Sequence, residues 1–263
     1  MEAGIGARLR RIALLVQYDG THYNGWQCQD IGKTVQAEIE RALKILTRES
    51  VKTVASGRTD SGVHALGQVV HFDSGTGLKL DKICISLNGI LPADIAVRNA
   101  YDVPEIFHSR YSAVEREYKY LIYNHPQRSP FMLYRAMWAK TYIDETRLNE
   151  AMSLLVGERD FASFCKKVSA NEGTIRRLTS ASAGRSGDTI EILIRGNAFL
   201  HNMIRIIVGT AVDLVQNERP PEDILEILEK RDRIFGGKTA PPYGLYLNRV
   251  IYDPPLESMK SAF

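Results

Sequence analysis

Apolar and polar positions along the first hundred residues switch between the period of a strand and the period of a helix. Ile12 to Tyr18 is an apolar run broken only by Gln17, which reads as a buried strand closed by the turn residues Asp19-Gly20. Thr34 stands where an N-cap belongs, ahead of Val35, Ile39, Ala42, Leu43 and Leu46 on one helical face. A short extended piece over Thr53–Ala55 leads into the polar loop Ser56–His64, and Gln68–Phe72 resume the extended pattern. A helix over Asp81–Ile90 and a strand over Ile95–Val103 complete the order β-α-β-β-α-β.

The second half repeats that order more coarsely. Tyr118, Tyr120 and Ile122 alternate with Lys119, Leu121 and Tyr123 as in a strand, and Asp144 opens a helix carrying Leu148, Ala151, Met152 and Leu155. Strands over Arg177–Ala183 and Thr189–Arg195 flank the turn Gly184 to Asp188. A long helix over Phe199–Gln216 puts His201 and Arg205 on one face at the start of an otherwise apolar stretch. Pro220-Pro221 begin a short helix, and Tyr246–Tyr252 read as the closing strand. Two rounds of a split β-α-β pattern predict an α+β fold of two ferredoxin-like lobes, 8–104 and 113–253, with sheets joined across a central cleft. No residue-level similarity between the halves accompanies this order.

Composition narrows the class. The chain's 263 residues suffice for a substantial core, and no apolar run approaches the length of a membrane span. No signal-like segment follows Arg8, Arg10 and Arg11, so a cytoplasmic address and no membrane association are expected. Cys28, Cys84 and Cys165 are odd in number and widely spaced, which argues against a disulfide framework, and scattered histidines argue against a metal site. A net charge of +3 says little alone. Local concentrations say more: Arg8/Arg10/Arg11, Lys166/Lys167, Arg176/Arg177 and Arg231/Arg233 suit either solvated surface or a polyanionic partner.

The chemistry concentrates in Ala55-Ser-Gly-Arg-Thr-Asp-Ser-Gly-Val-His-Ala65, where Arg58, Asp60 and His64 lie among Gly57 and Gly62 between two extended apolar segments. Taken alone, such a loop is as well explained by an Asp60 that caps backbone amides. The full string Gly57 to Ala65, followed by Gly67-Gln68-Val69-Val70-His71-Phe72, closely resembles the tRNA pseudouridine synthase A family. Further blocks follow in order: Tyr18-Asp19-Gly20 with Gly25-Trp26-Gln27, Phe107 to Ala113, Glu117-Tyr118-Lys119-Tyr120, Phe199 to Arg205, and Ala240 to Leu247.

That resemblance implies a homodimeric tRNA pseudouridine synthase, without metal or organic cofactor, acting on uridines of the anticodon stem-loop (tRNA positions 38–40). It implies Asp60 as nucleophile, Tyr118 against the target base, Arg58 holding the extruded nucleotide and Arg205 paired with the carboxylate. Leu245 is expected as an apolar wall. Phe107, His108, Ser109, Arg110 and Tyr111, with Lys166 and Lys167, are expected on the RNA-binding surface.

These residue types suit the reaction. Detaching uracil and rejoining it through C5 is divided into easier steps by a carboxylate nucleophile. Whether Asp60 attacks sugar or base, or removes a sugar proton, stays open. An arginine remains charged and grips a carboxylate in two places. A stacked base must be extruded before it is altered, and an aromatic ring stabilises it by about 1–3 kcal/mol. His64 and His71 read as hydrogen-bonded structural residues rather than bases. Two rivals come from other classes. A catalytically inert RNA-binding module lacks its usual aromatic motif here, and a hydrolase normally needs a second, opposed acid.

Overall fold

The structure is a computed structural model and describes residues 9–29, 32–166 and 173–259. It is a mixed α/β chain divided into two compact units, Met1–Val114 with Arg249–Phe263, and Glu115–Asn248. No described helix is long and apolar enough to cross a membrane.

The first unit contains β1 (Arg10–Tyr18), α1 (Val35–Thr47), β2 (Val54–Ala55), β3 (His64–Ser74), α2 (Leu80–Ile90) and β4 (Ile95–Val103). β1 lies between β3 and β4 and is antiparallel to both, and β2 is antiparallel on β3. β1 is also packed over on both faces, since the consecutive residues Ile12, Ala13 and Leu14 are all buried and Ala13 packs with Phe107 and Tyr252, which explains the near-continuous apolar run Ile12 to Val16. Thr34 caps α1 by accepting the Ala37 amide, and the helix ends at Arg48 with φ 61. Val35, Ile39, Ala42 and Leu43 of α1 are buried, as are Ile83 and Leu87 of α2.

Residues 104–112, where the two lobes expected from the sequence meet, hold no helix or strand but are not loose. Phe107 is buried with Ala13, Val69, Val103, Tyr252 and Leu256. Arg11 forks onto Asp73 through two bonds of 2.7 Å and donates to the Phe107 carbonyl at 2.8 Å. Arg10 pairs with Asp102 at 3.3 Å. Two members of the N-terminal basic cluster are thus engaged in structural pairs, and Arg8 lies outside the described residues.

The second unit contains most of β5 (Ala113–Asn124), then β6 (Met137–Ala139), α3 (Glu145–Ser153), β7 (Gly157–Asp160), β8 (Ile175–Ser186), β9 (Thr189–Gly196), α4 (Met203–Gln216) and α5 (Asp223–Glu229). β10 (Leu245–Tyr252) begins here, and its residues from Arg249 onward belong to the first unit. β5, β9, β8 and β7 follow one another in an antiparallel order, with β6 parallel to the end of β5. Asp144 caps α3 by accepting the Thr146 and Arg147 amides, as its position predicts.

Three differences from the sequence reading have local causes. Residues 187–188 alone form the β8–β9 turn, with Gly187 at φ 58, so β8 runs on to Ser186 rather than ending at Ala183, while β9 starts at Thr189 as expected. Asn202 adopts φ 60, so α4 starts at Met203 rather than Phe199. His201 therefore lies in a turn ahead of the helix and shares no helical face with Arg205. β6 and β7 have three and four residues, too few to display a period.

Candidate active site

The Asp60 loop is built onto the segment that ends β1. Ser56 Oγ donates to Gln68 Oε1 at 2.6 Å, and Gln68 Nε2 donates to the Gly57 carbonyl at 2.8 Å, fixing the loop's entry. Thr59 is buried, bonded to the Tyr18 hydroxyl at 2.7 Å, and its carbonyl accepts the Trp26 amide at 3.0 Å. The Val63 amide donates to the Asp60 carbonyl at 3.1 Å, and Gly62 takes φ 76 to close the turn.

Two glycines outside the loop permit this approach. A Cβ on Gly25 (φ +91) would lie 2.6 Å from the Thr59 carbonyl oxygen, and one on Gly20 would lie 2.0 Å from that of Val63. Neither contact is tolerable to a side chain. The blocks Tyr18-Asp19-Gly20 and Gly25-Trp26-Gln27 are therefore the bed on which the Asp60 loop rests. On this bed Asp60 is half-buried and Arg58 is exposed.

Both histidines of the region hold structure. His64 is buried, accepts the Gly20 amide on Nδ1 at 3.1 Å and has Asp19 Oδ1 3.0 Å away, a carboxylate that sequence spacing did not reveal. His71 Nδ1 accepts the Ser109 amide at 3.1 Å, while Ser109 Oγ donates to the Val54 carbonyl at 2.6 Å. Burial, reinforced by the Arg11 guanidinium and by His108, lowers the pKa of His71 to about 4.

A pH dependence follows with a definite sign. His71 is neutral in the native state, and its folded pKa lies below its unfolded value of 6.5. Its contribution is complete above pH 6.5 and is lost as pH falls towards 4, with a slope of at most about 1.4 kcal/mol per pH unit. Urea midpoints at pH 7, 6 and 5 should fall more steeply for the wild type than for His71→Gln. Parallel curves would show that His71 does not titrate with unfolding.

Phe107 to Tyr111 sort into buried and exposed members. Phe107 packs its ring 5.2 Å from that of Tyr252, and Ser109 is fully buried, so neither side chain presents a surface to RNA. Both side chains were expected on the RNA-binding surface and are found packed inside this turn. His108 stacks on Tyr111 with centroids 4.4 Å apart, and Nδ1 of His108 accepts the Arg110 and Tyr111 amides. Arg110 and Tyr111 are exposed, with the guanidinium carbon 5.6 Å from the Tyr111 ring centre.

In the second unit Tyr118 sits on β5 opposite Ile194 of β9, half-buried, its ring edge-on to Phe199 at 5.1 Å. Phe199 was not singled out from the sequence, and its place in a matched block was the only signal. Arg205 occupies the first turn of α4. Its Nε donates to the Ala240 carbonyl at 2.7 Å and its Nη1 to Asn202 Oδ1 at 2.8 Å, while the Ala240 amide donates to the Arg205 carbonyl at 3.0 Å. The Tyr120 hydroxyl donates to the Pro241 carbonyl at 2.8 Å. A Cβ on Gly244 would lie 2.6 Å from the Tyr120 ring. The Ala240–Leu245 turn is thus clamped by Arg205 on one side and Tyr120 on the other, and Leu245 is buried where β10 begins.

The remaining basic residues divide. Lys166 is exposed, and Lys167 lies outside the described residues. Arg176 donates to the carbonyls of Gly173 and Ile175, and Arg233 to the Gly236 carbonyl and the Thr239 hydroxyl, both within their own turns. Among the described residues no three His, Cys, Asp or Glu side chains are grouped as a metal ion would require.

Asp60 is thus half-buried on the glycine-bedded loop of the first unit, and the second unit by itself holds Tyr118 against Phe199 and Arg205 against Ala240 and Asn202. Comparison with known proteins gives the class. A family model described as tRNA pseudouridine synthase matches residues 14–112 and 151–253. A tRNA pseudouridine synthase A of Caldicellulosiruptor bescii is 43% identical over 244 residues, which cover 93% of this chain and 100% of that one. Its counterpart in Paraburkholderia xenovorans is 43% identical over 248 residues, covering 93% and 90%. The chain belongs to the tRNA pseudouridine synthase family. It is an isomerase that converts uridine in tRNA to pseudouridine.

Proposed function

We propose that Asp60 is the nucleophile of this isomerisation and that the uridines it converts lie in the anticodon stem-loop. The N1–C1′ bond breaks, C1′ is rejoined to C5, the hydrogen on C5 leaves as a proton, and the freed N1 takes up a proton from solvent. A carboxylate divides this exchange into two steps, and backbone bonds on both sides of Asp60 support its use, because they hold the loop that carries it still. Tyr118 lies against the extruded base, Leu245 forms its apolar wall, Arg58 holds the nucleotide and Arg205 pairs with the Asp60 carboxylate. The two bonds from Arg205 to Ala240 and Asn202 favour this role, since they fix the guanidinium in one orientation. His108, Arg110, Tyr111, Lys166 and Lys167 contact RNA.

Each unit is a ferredoxin-like lobe in this reading, supported by the strand orders β4-β1-β3-β2 and β5-β9-β8 with a helix in each crossover. The enzyme is cytoplasmic, works as a homodimer and needs no cofactor, as the family likeness implies.

Incubating the protein with one unmodified tRNA and mapping the product tests the reading. Pseudouridine on the 3′ side of the anticodon loop or its stem is the expected result. Free uracil would indicate a hydrolase, and binding without chemistry an inert module.

A further inference from the structure

The segment between β5 and α3 is unlike the rest of the surface. No Asp or Glu occurs between Asn124 and Asp144, while Arg128, Arg135 and Lys140 do; Lys119, on β5 itself, is paired with Glu191 at 3.5 Å. The same stretch leaves large rings in solvent: Phe131 is 88% exposed and Trp138 47%. An isolated exposed ring needs no explanation, but several together with cations and no carboxylate do.

Trp138 is held in place. The Trp138 indole nitrogen donates to the His125 carbonyl at 2.9 Å, and β6 pairs Trp138 with Tyr123, whose ring stacks on His125 at 5.8 Å. The segment is also continuous with the turn that carries Leu245. The Tyr246 hydroxyl donates to the Arg135 carbonyl at 2.6 Å, and Tyr134 meets Tyr243 edge-on at 6.0 Å.

We propose that this segment is a second tRNA-contact surface, with Arg128 and Lys140 on phosphates and Trp138 and Phe131 stacking on bases or riboses. The occupant is RNA because Arg128 and Lys140 are exposed beside exposed rings in a run of sequence that holds no Asp or Glu. A second copy of the chain would have to bury those cations against a face of like composition in a symmetric contact. Exposed aromatic rings beside cations are what a nucleic-acid backbone and its bases require. The proposal rests on tRNA being the substrate, not on the assignment of Asp60, so failure of either leaves the other standing.

The test measures tRNA affinity of the full chain across a salt series. The exposed pair Arg128→Gln/Lys140→Gln is compared with an equally exposed pair on the first unit, Lys44→Gln/Lys82→Gln. Each lost phosphate contact should flatten the slope of log K against log salt by about 0.7–0.9. Arg128→Gln/Lys140→Gln should therefore flatten it by about 1.5, raise KM and leave kcat unchanged. Trp138→Ala should weaken binding at least about fivefold at every salt concentration. An unchanged slope, or an equal loss in the Lys44→Gln/Lys82→Gln protein, would overturn the proposal. Loss of binding that tracks a change in sedimentation would also overturn it, and would give the surface to a second copy of the chain.

Discussion

Asp60→Asn should lower pseudouridine formation by roughly 10⁴-fold or more while leaving the protein folded and able to bind tRNA. The magnitude is that of removing a nucleophile from a preorganised site, where binding and positioning alone retain only a residual rate. The substitution keeps shape and volume and removes the charge. The loop's hold on the rest of the unit runs through the Thr59 carbonyl and hydroxyl, the Gly62 amide and His64, all of which survive. Thermal midpoints within about 2 °C of wild type and similar tRNA affinity should accompany the loss. A midpoint lowered by 10 °C would mean that the carboxylate is structural, as the alternative reading of the loop holds.

The second large effect reverses what helix propensity predicts. Gly209 lies within α4, where replacing glycine by alanine ordinarily stabilises a helix by about 1 kcal/mol. Here a Cβ would fall 1.8 Å from the Lys238 carbonyl oxygen and 3.2 Å from the Ala240 nitrogen. These are backbone atoms, so the whole turn leading to Leu245 must move. Overpacking of this kind costs about 1–3 kcal/mol. Gly209→Ala should therefore lower stability by about 2 kcal/mol in urea titrations. It should also lower kcat about tenfold, because Arg205 loses the geometry of its bonds to Ala240. Gly89→Ala is the contrast: nothing lies within 4 Å of its Cβ in α2, and it should be neutral or stabilising. Equal behaviour of the two variants would contradict the close packing on α4.

The two glycine variants also show where sequence reading succeeds and where it stops. The strand at Ile12 and the helices capped by Thr34 and Asp144 were legible because burial imposes a period on consecutive residues. The Asp60 loop was legible as a motif, but its bed was not. Gly20 and Gly25 are needed because distant backbone passes within 3 Å, and no local pattern encodes that distance. Ser109 and Phe107 looked like surface groups because their neighbours Arg110 and Tyr111 are; only the fold shows alternate residues turning inward onto His71 and Tyr252. Arg11 looked like a free cation for the same reason, since Asp73 reaches it only through the β1–β3 register. The start of α4 was misplaced by four residues because a single left-handed residue, Asn202, does not announce itself in hydrophobic spacing.

Release of tritium from tRNA labelled at uridine C5, measured alongside free uracil, reports directly on the bond made and the bond broken. Wild-type protein should release one tritium per pseudouridine with no free base, and Asp60→Asn should release none above background. Tritium release by Asp60→Asn at the wild-type rate would show that another group performs the chemistry.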